Sequence, residues 1–207
     1  MALRTVVFYG SVRSERQGIR AARFVVNKCR ERGHQVDLID PLDYPLPLLD
    51  KMYKEYEPRQ APPLLKKMAE LIIPADVYIV VSGEYNHTIP PALANLMDHF
   101  LDEYFYKPSA IVCYSAGSFG GVRASIALRS ILAEMGASSI PSVFPIPKVQ
   151  DVFDVNGEPK DPAYHERIKD FLDEVEWYAI ALKEARMKQA ACGRSYCEAQ
   201  ETIPKAG

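Results

Sequence analysis

The sequence predicts a doubly wound α/β domain with a five-stranded parallel sheet, and three observations carry that prediction. Five short runs rich in β-branched residues, at 3–9, 35–39, 76–82, 108–114 and 139–144, are almost uniformly apolar, as strands buried on both faces are. Apolar residues recur at helical spacing in the intervals between them. Strand and helix alternate strictly, and each right-handed crossover to a parallel neighbour needs a helix to return the chain. Helices on both faces of the sheet follow.

Taken in order, the first run, "LRTVVFY", gives way to "GSVRSERQG" at 10–18. A helix is predicted over 17–32, where Ile19, Ala22, Val25, Val26 and Cys29 share one face and Gly33 stands just past the end. After the run at 35–39, the segment 41–63 carries six prolines, which exclude a regular helix or a central strand and predict a long surface connection. Helices at 62–73 and 90–103 flank the run at 76–82, and Pro90 and Pro91 sit where the second of them should begin. "EYFYKP" at 103–108 is read as core packing or a subunit contact, ahead of the run at 108–114. "YSAGSFGGVRA" at 114–124 leads into a helix over 120–135, and the run at 139–144 precedes a helix over 161–187. Residues 1–187 are assigned to a single domain, and 188–207 to a tail that is disordered or extends the last helix.

The 207 residues are 48% apolar, enough for a substantial core in one domain. A formal charge of −2 provides no general basic field for nucleic acid and no strongly acidic surface for docking a protein partner. No apolar run approaches the roughly 20 residues needed to cross a bilayer, so no membrane association is expected and a cytoplasmic location is. Cys29, Cys113, Cys192 and Cys197 lack the spacing of paired metal ligands and are expected to be idle thiols.

In an open parallel sheet, ligands bind at the carboxyl ends of the strands where the winding reverses, and the first strand borders that point. "GSVRSERQG" has neither the G-x-G-x-x-G of dinucleotide folds nor a terminal Gly-Lys-Ser/Thr. It does combine Ser11, Ser14, Arg13 and Arg16 with a following helix start near Gln17. Hydroxyls, guanidinium groups and free helix N–H groups together suit a terminal phosphate. Glu84 to Thr88 form a loop at the same edge, with an aromatic wall at Tyr85 and a donor and acceptor pair at Asn86. Glycines at 117, 120 and 121 let the backbone of the next loop approach a flat ligand.

These residues as a set resemble the NAD(P)H-dependent FMN reductases of flavodoxin-like fold, which include quinone, azo-dye and chromate reductases. Gly10, Ser11 and Arg13 match the family's G-S-x-R; Glu84, Tyr85, Asn86, Leu93, Asn95 and Asp98 match in part its P-E-Y-N followed by Leu-Lys-Asn and an Asp; Ser115 to Gly121 match its glycine-rich loop. Gly83 stands where the family usually has Pro, and Ala94 where it usually has Lys. Arg16 and Gly18 replace the Ser and Asn of many members, although one branch carries Arg and Gly.

The resemblance implies strand order 2-1-3-4-5, bound FMN, and NADPH or NADH as co-substrate. It also implies a small-molecule electron acceptor and a homodimer or homotetramer. On this reading Ser11, Arg13, Arg16, Gln17, Gly18 and Ile19 hold the phosphate. Glu84, Tyr85, Asn86, His87 and Thr88 line the isoalloxazine edge, and Ser115, Ala116, Gly117, Ser118, Gly120 and Gly121 close the other side. Flavin carries the hydride chemistry, so no acid, base or nucleophile is assigned, His87 included. Asp98, His99, Asp102 and Glu103 are read as a helix end and not as a metal cluster. The competing readings are a flavodoxin-type electron carrier and a flavin-binding sensor without turnover.

Overall fold

The computed structural model describes residues 1–57 and 60–191. Five strands, β1 (Arg4–Tyr9), β2 (Gln35–Ile39), β3 (Val77–Gly83), β4 (Ser109–Tyr114) and β5 (Ser139–Ile146), form one sheet in the order β2-β1-β3-β4-β5, with every neighbouring pair parallel. Helices α1 (Ile19–Glu31), α2 (Pro63–Ile72), α3 (Pro91–Asp98), α4 (Val122–Glu134), α5 (Val149–Val152) and α6 (Ala163–Ala191) make the crossovers and cover the sheet. This is the flavodoxin-like arrangement, and the winding reverses between β1 and β3.

Alternation along each strand divides the core in two. Val7 and Tyr9 of β1 face α1 and α6, where Phe24, Phe144, Phe153 and Phe171 pack, while Val6 and Phe8 face α2, α3 and α4 with Phe100, Tyr104 and Leu128. The central strands β3 and β4 are buried along their whole length. The edge strands are not. β2 and β5 expose alternate residues, so the expectation of strands buried on both faces fails there, because a strand at the margin has covering helices over only part of its width. β5 also runs two residues past the predicted end, through Pro145, which an edge strand tolerates because that side needs no donor.

Three other boundaries differ from the sequence reading. The helix predicted over 90–103 stops at Asp98, and a 3-10 turn at Asp102–Tyr104 follows, turning Phe100 and Tyr104 into the core. The short helix α5 breaks no apolar periodicity long enough to be read in the sequence. α6 continues to Ala191, four residues into the segment assigned to the tail; the remainder of that tail, with Cys192 and Cys197, lies outside the described residues. Among the described residues no helix is long and apolar enough to cross a membrane.

The 41–63 connection is strapped to α3. The Pro47 carbonyl accepts from Asn95 Nδ2 (2.9 Å) and His99 Nε2 (3.1 Å), and the Leu49 amide donates to Asn95 Oδ1 (2.9 Å). Asn95, a motif residue, therefore works on the scaffold. The aromatics of "EYFYKP" precede β4 at the amino edge of the sheet. Tyr104 is buried in the core against Phe8, Tyr78 and Phe100, and Tyr106 is exposed with φ 62°.

Candidate functional site

The carboxyl ends of β1, β3, β4 and β5 converge on a cavity of about 350 Å³. From the first loop it takes Ser11, Arg13, Arg16, Gln17 and Gly18; from the second, Glu84 and Tyr85; from the third, Ser115 and Ala116. Two hollows of about 520 and 660 Å³ are larger, but they lie beside the 41–63 connection, away from these loops. The smaller cavity is the candidate because it lies at the carboxyl edge of the sheet, where the first loop's amides and Arg13 meet the Tyr114 ring.

In the first loop the Gln17 amide bonds the Glu15 carbonyl (3.0 Å) and the Ile19 amide bonds the Arg16 carbonyl (3.2 Å). The amides of Val12, Ser14, Glu15 and Gly18 meet no acceptor among the described residues. The unsatisfied donors are thus in the loop itself, a little ahead of the helix start expected near Gln17, and α1 begins at Ile19. Ile19 packs partly buried against the core and does not line the cavity. Arg13 is exposed at the rim and makes no ion pair among the described residues. Arg16 instead pairs with Asp40.

The second loop is a tight turn. Tyr85 and Thr88 exchange backbone hydrogen bonds of 2.9 and 3.0 Å, and the two residues between them, Asn86 and His87, have φ of 50° and 65°. Left-handed backbone at both central positions is the geometry of the primed hairpin turns, costly for a histidine and mild for an asparagine. Asn86, His87 and Thr88 are exposed at the tip beside the cavity and not within its lining, and the Asn86 and His87 amides carry no acceptor among the described residues. Two contacts brace the turn. The Tyr85 hydroxyl shares a hydrogen bond of 2.9 Å with Ser11 Oγ, joining the second loop to the first. Glu84 accepts from the Arg123 amide and guanidinium, both at 3.1 Å, which caps the first turn of α4 and joins the second loop to the third. Its carboxylate is therefore committed to the scaffold.

Tyr114, the last residue of β4, forms the floor. Its ring stacks on Tyr9 (centroids 6.3 Å apart, planes 20° apart) and fills the space that a side chain at Gly18 would need, since a Cβ there would fall 2.0 Å from Tyr114 Cζ. Gly83 abuts the same ring, which explains glycine where the family usually has proline. The third loop folds back onto the segment after β5: the Lys148 amide donates to the Gly117 carbonyl (3.0 Å) and the Val149 amide to the Ser115 carbonyl (3.1 Å). Gly117, Ser118, Gly120 and Gly121 shape this loop without lining the cavity.

Glu15, Gly83, Tyr114, Val149 and Gln150 line the cavity and were not read from the sequence. One signal was available for the last two: the segment after the fifth strand must reach the same sheet edge as the other loops. Gln150 Oε1 is buried without a hydrogen-bond donor among the described residues, while its Nε2 donates to the Ala116 carbonyl (3.3 Å) and holds the side chain against the third loop.

Electrostatically the floor is neutral. Burial pushes the Tyr114 phenol well above its ordinary range and raises that of Tyr9, and burial pushes the Cys113 thiol up to about 12. The hydroxyls and the thiol hold their protons throughout the physiological range, and none is an activated nucleophile. Asp102 pairs with Lys54 of the 41–63 connection (2.9 Å) and Glu103 accepts from the Leu101 amide (3.1 Å) within its own turn.

Residues 3–151 match the family profile described as NADPH-dependent FMN reductase. A probable NADPH:quinone oxidoreductase of Oryza sativa subsp. japonica is 31% identical over 203 residues, covering 92% of this chain and 96% of its own. An NAD(P)H-dependent FMN reductase of Pseudomonas aeruginosa is 30% identical over 128 residues, covering 59% of this chain and 69% of its own. Among solved structures, the flavoenzyme NAD(P)H:(acceptor) oxidoreductase FerB of Paracoccus denitrificans superposes with a TM-score of 0.64 at 17% identity, covering 88% of this chain and 98% of its own, a likeness of fold.

Proposed function

The chain belongs to the NADPH-dependent FMN reductase family, and from that premise we propose that it binds FMN in the cavity at the carboxyl edge of the sheet and transfers hydride from NADPH or NADH through it to a small acceptor. Free flavin, quinones, azo compounds and metal oxyanions are the acceptor classes we propose. The observation that carries this reading is the pairing, within one cavity, of a loop of unsatisfied amides beside Arg13 with a slot floored by Tyr114.

The residues present fit the group. A phosphate monoester carries close to two negative charges, which the loop amides and Arg13 would hold with charge-assisted hydrogen bonds. The isoalloxazine would enter between the Tyr85 turn and Ser115–Ala116, where the amides of Asn86 and His87 would supply donors. Bound FMN supplies the hydride chemistry. The chain's own task is positional. Ser11, Tyr85, Glu84 and Arg123 tie three loops into one frame, and Tyr114 and Tyr9 exclude water beneath it.

Repeated turnover on mixing the purified protein with NADPH and a quinone, followed as loss of NADPH absorbance, is the expected result. A yellow protein that NADPH does not bleach would overturn the reading and favour an electron carrier or sensor. Arg13→Ala is expected to weaken FMN binding by roughly 1–3 kcal/mol, the worth of a hydrogen bond to a charged group. Titration of the apoprotein by flavin fluorescence measures it, and an unchanged affinity would remove Arg13 from the phosphate site. We also propose a cytoplasmic enzyme working as a homodimer or homotetramer; sedimentation as a monomer at micromolar concentration would exclude the assembly.

A further inference from the structure

The sequence treats Arg13 and Arg16 as equal partners of an anion, but among the described residues the fold gives a counter-ion to Arg16 alone of the two. Arg16 is held from beneath: its guanidinium donates to Asp40 Oδ1 at 2.5 Å and to the Ser11 carbonyl at 3.3 Å, and lies 5.5 Å from the centre of the Tyr9 ring. Asp40 is the first residue after β2, only 3% exposed, and its Oδ1 also accepts the Leu42 amide at 3.0 Å. Arg13 has no such counter-ion among the described residues. To a third group several ångströms away, a cation and an anion in contact present a dipole whose field falls off faster than that of a charge.

We propose that Asp40 is a specificity-determining residue of the flavin site: it cancels the charge of Arg16 and makes that side chain a brace for Ser11, so that preference for the phosphorylated flavin rests on Arg13 and the loop amides. The proposal rests on the FMN reading and adds to it a residue outside the three loops. Asp40 lowers the pull of the loop on a dianion and keeps FMN exchangeable.

The test compares the dissociation constants of FMN and riboflavin, measured on apoprotein by flavin fluorescence, and takes their ratio as the preference for phosphate. Asp40→Asn keeps the shape and removes the charge; it is expected to raise the preference about fivefold or more, with riboflavin affinity unchanged. The double variant Asp40→Asn/Arg16→Gln replaces a neutral pair by a neutral pair and is expected to stay within about threefold of the wild-type preference. It also carries the test alone if the single variant does not fold. An unchanged or reduced preference in Asp40→Asn would overturn the proposal by showing that Asp40 does not offset Arg16, and a loss of about tenfold or more in the double variant would overturn it by showing Arg16 to be a direct phosphate ligand. A merely structural role for Asp40 would weaken both flavins together and leave the ratio where it was. Those failures require a wild type that prefers FMN. A wild type without that preference would sink the FMN reading itself, and the proposal with it.

Discussion

Gly121→Ala is expected to lower the stability of the protein by about 3 kcal/mol, combining left-handed backbone strain with overpacking. Gly121 caps α4 at φ 81°, and a Cβ on it would stand 2.6 Å from the Tyr114 carbonyl oxygen and 2.8 Å from the Tyr114 amide nitrogen. Those atoms belong to the end of β4, a fully buried strand paired on both sides, and cannot retreat as the tip of a flexible side chain would. Any shift moves Tyr114, the cavity floor, so flavin affinity should fall with stability. Gly117→Ala is the control. A Cβ at Gly117 meets nothing within 4 Å, and its expected effect on the urea midpoint is small. Equal midpoints for the wild type and Gly121→Ala would refute the close approach.

Lys107→Met should cost about as much, roughly 3 kcal/mol, by stranding buried acceptors. The Lys107 ammonium lies within hydrogen-bond distance of the carbonyls of Ile72 (3.1 Å), Ile73 (2.7 Å) and Glu103 (2.8 Å) and of the Tyr78 hydroxyl (3.0 Å). It thus closes the carboxyl end of α2, where orphan carbonyls and the helix dipole favour a cation. Burial lowers its pKa to about 8 from an unfolded value of 10.5, so between those values the unfolded chain binds the proton that the folded chain has released. This group's contribution to stability therefore rises with pH from about 8 to 10.5, while below that window the cost of burying the ammonium is present in full. Subtracting the Lys107→Met stability profile from that of the wild type isolates the effect. A flat difference across the window would show that the ammonium is not desolvated.

Much of this molecule is legible in local chemistry. The five apolar runs and the periodic stretches between them place each strand and each long helix within a few residues, because burial on a parallel sheet requires that pattern. Boundaries fail where distant partners decide them. α3 ends early because Phe100 and Tyr104 enter a core built by β1 and β3, and β5 extends because its outer edge needs no donor. In the site, Ser11, Arg13 and Tyr85 follow from residue type and from their place after a strand. Tyr114 and Gln150 do not, since a strand's last residue and a segment after β5 become cavity walls only when the sheet edge assembles.

What the residues by themselves determined is an α/β domain with a turn rich in serine and arginine after its first strand, since apolar periodicity and turn chemistry are written in neighbouring positions. Which of two similar arginines meets a counter-ion was decided only in three dimensions. Arg16 and Asp40 are 24 positions apart, and their separation in space depends on β1 and β2 lying side by side in parallel register. A charge is cancelled by what stands near it in the fold, and sequence spacing carries no measure of that distance.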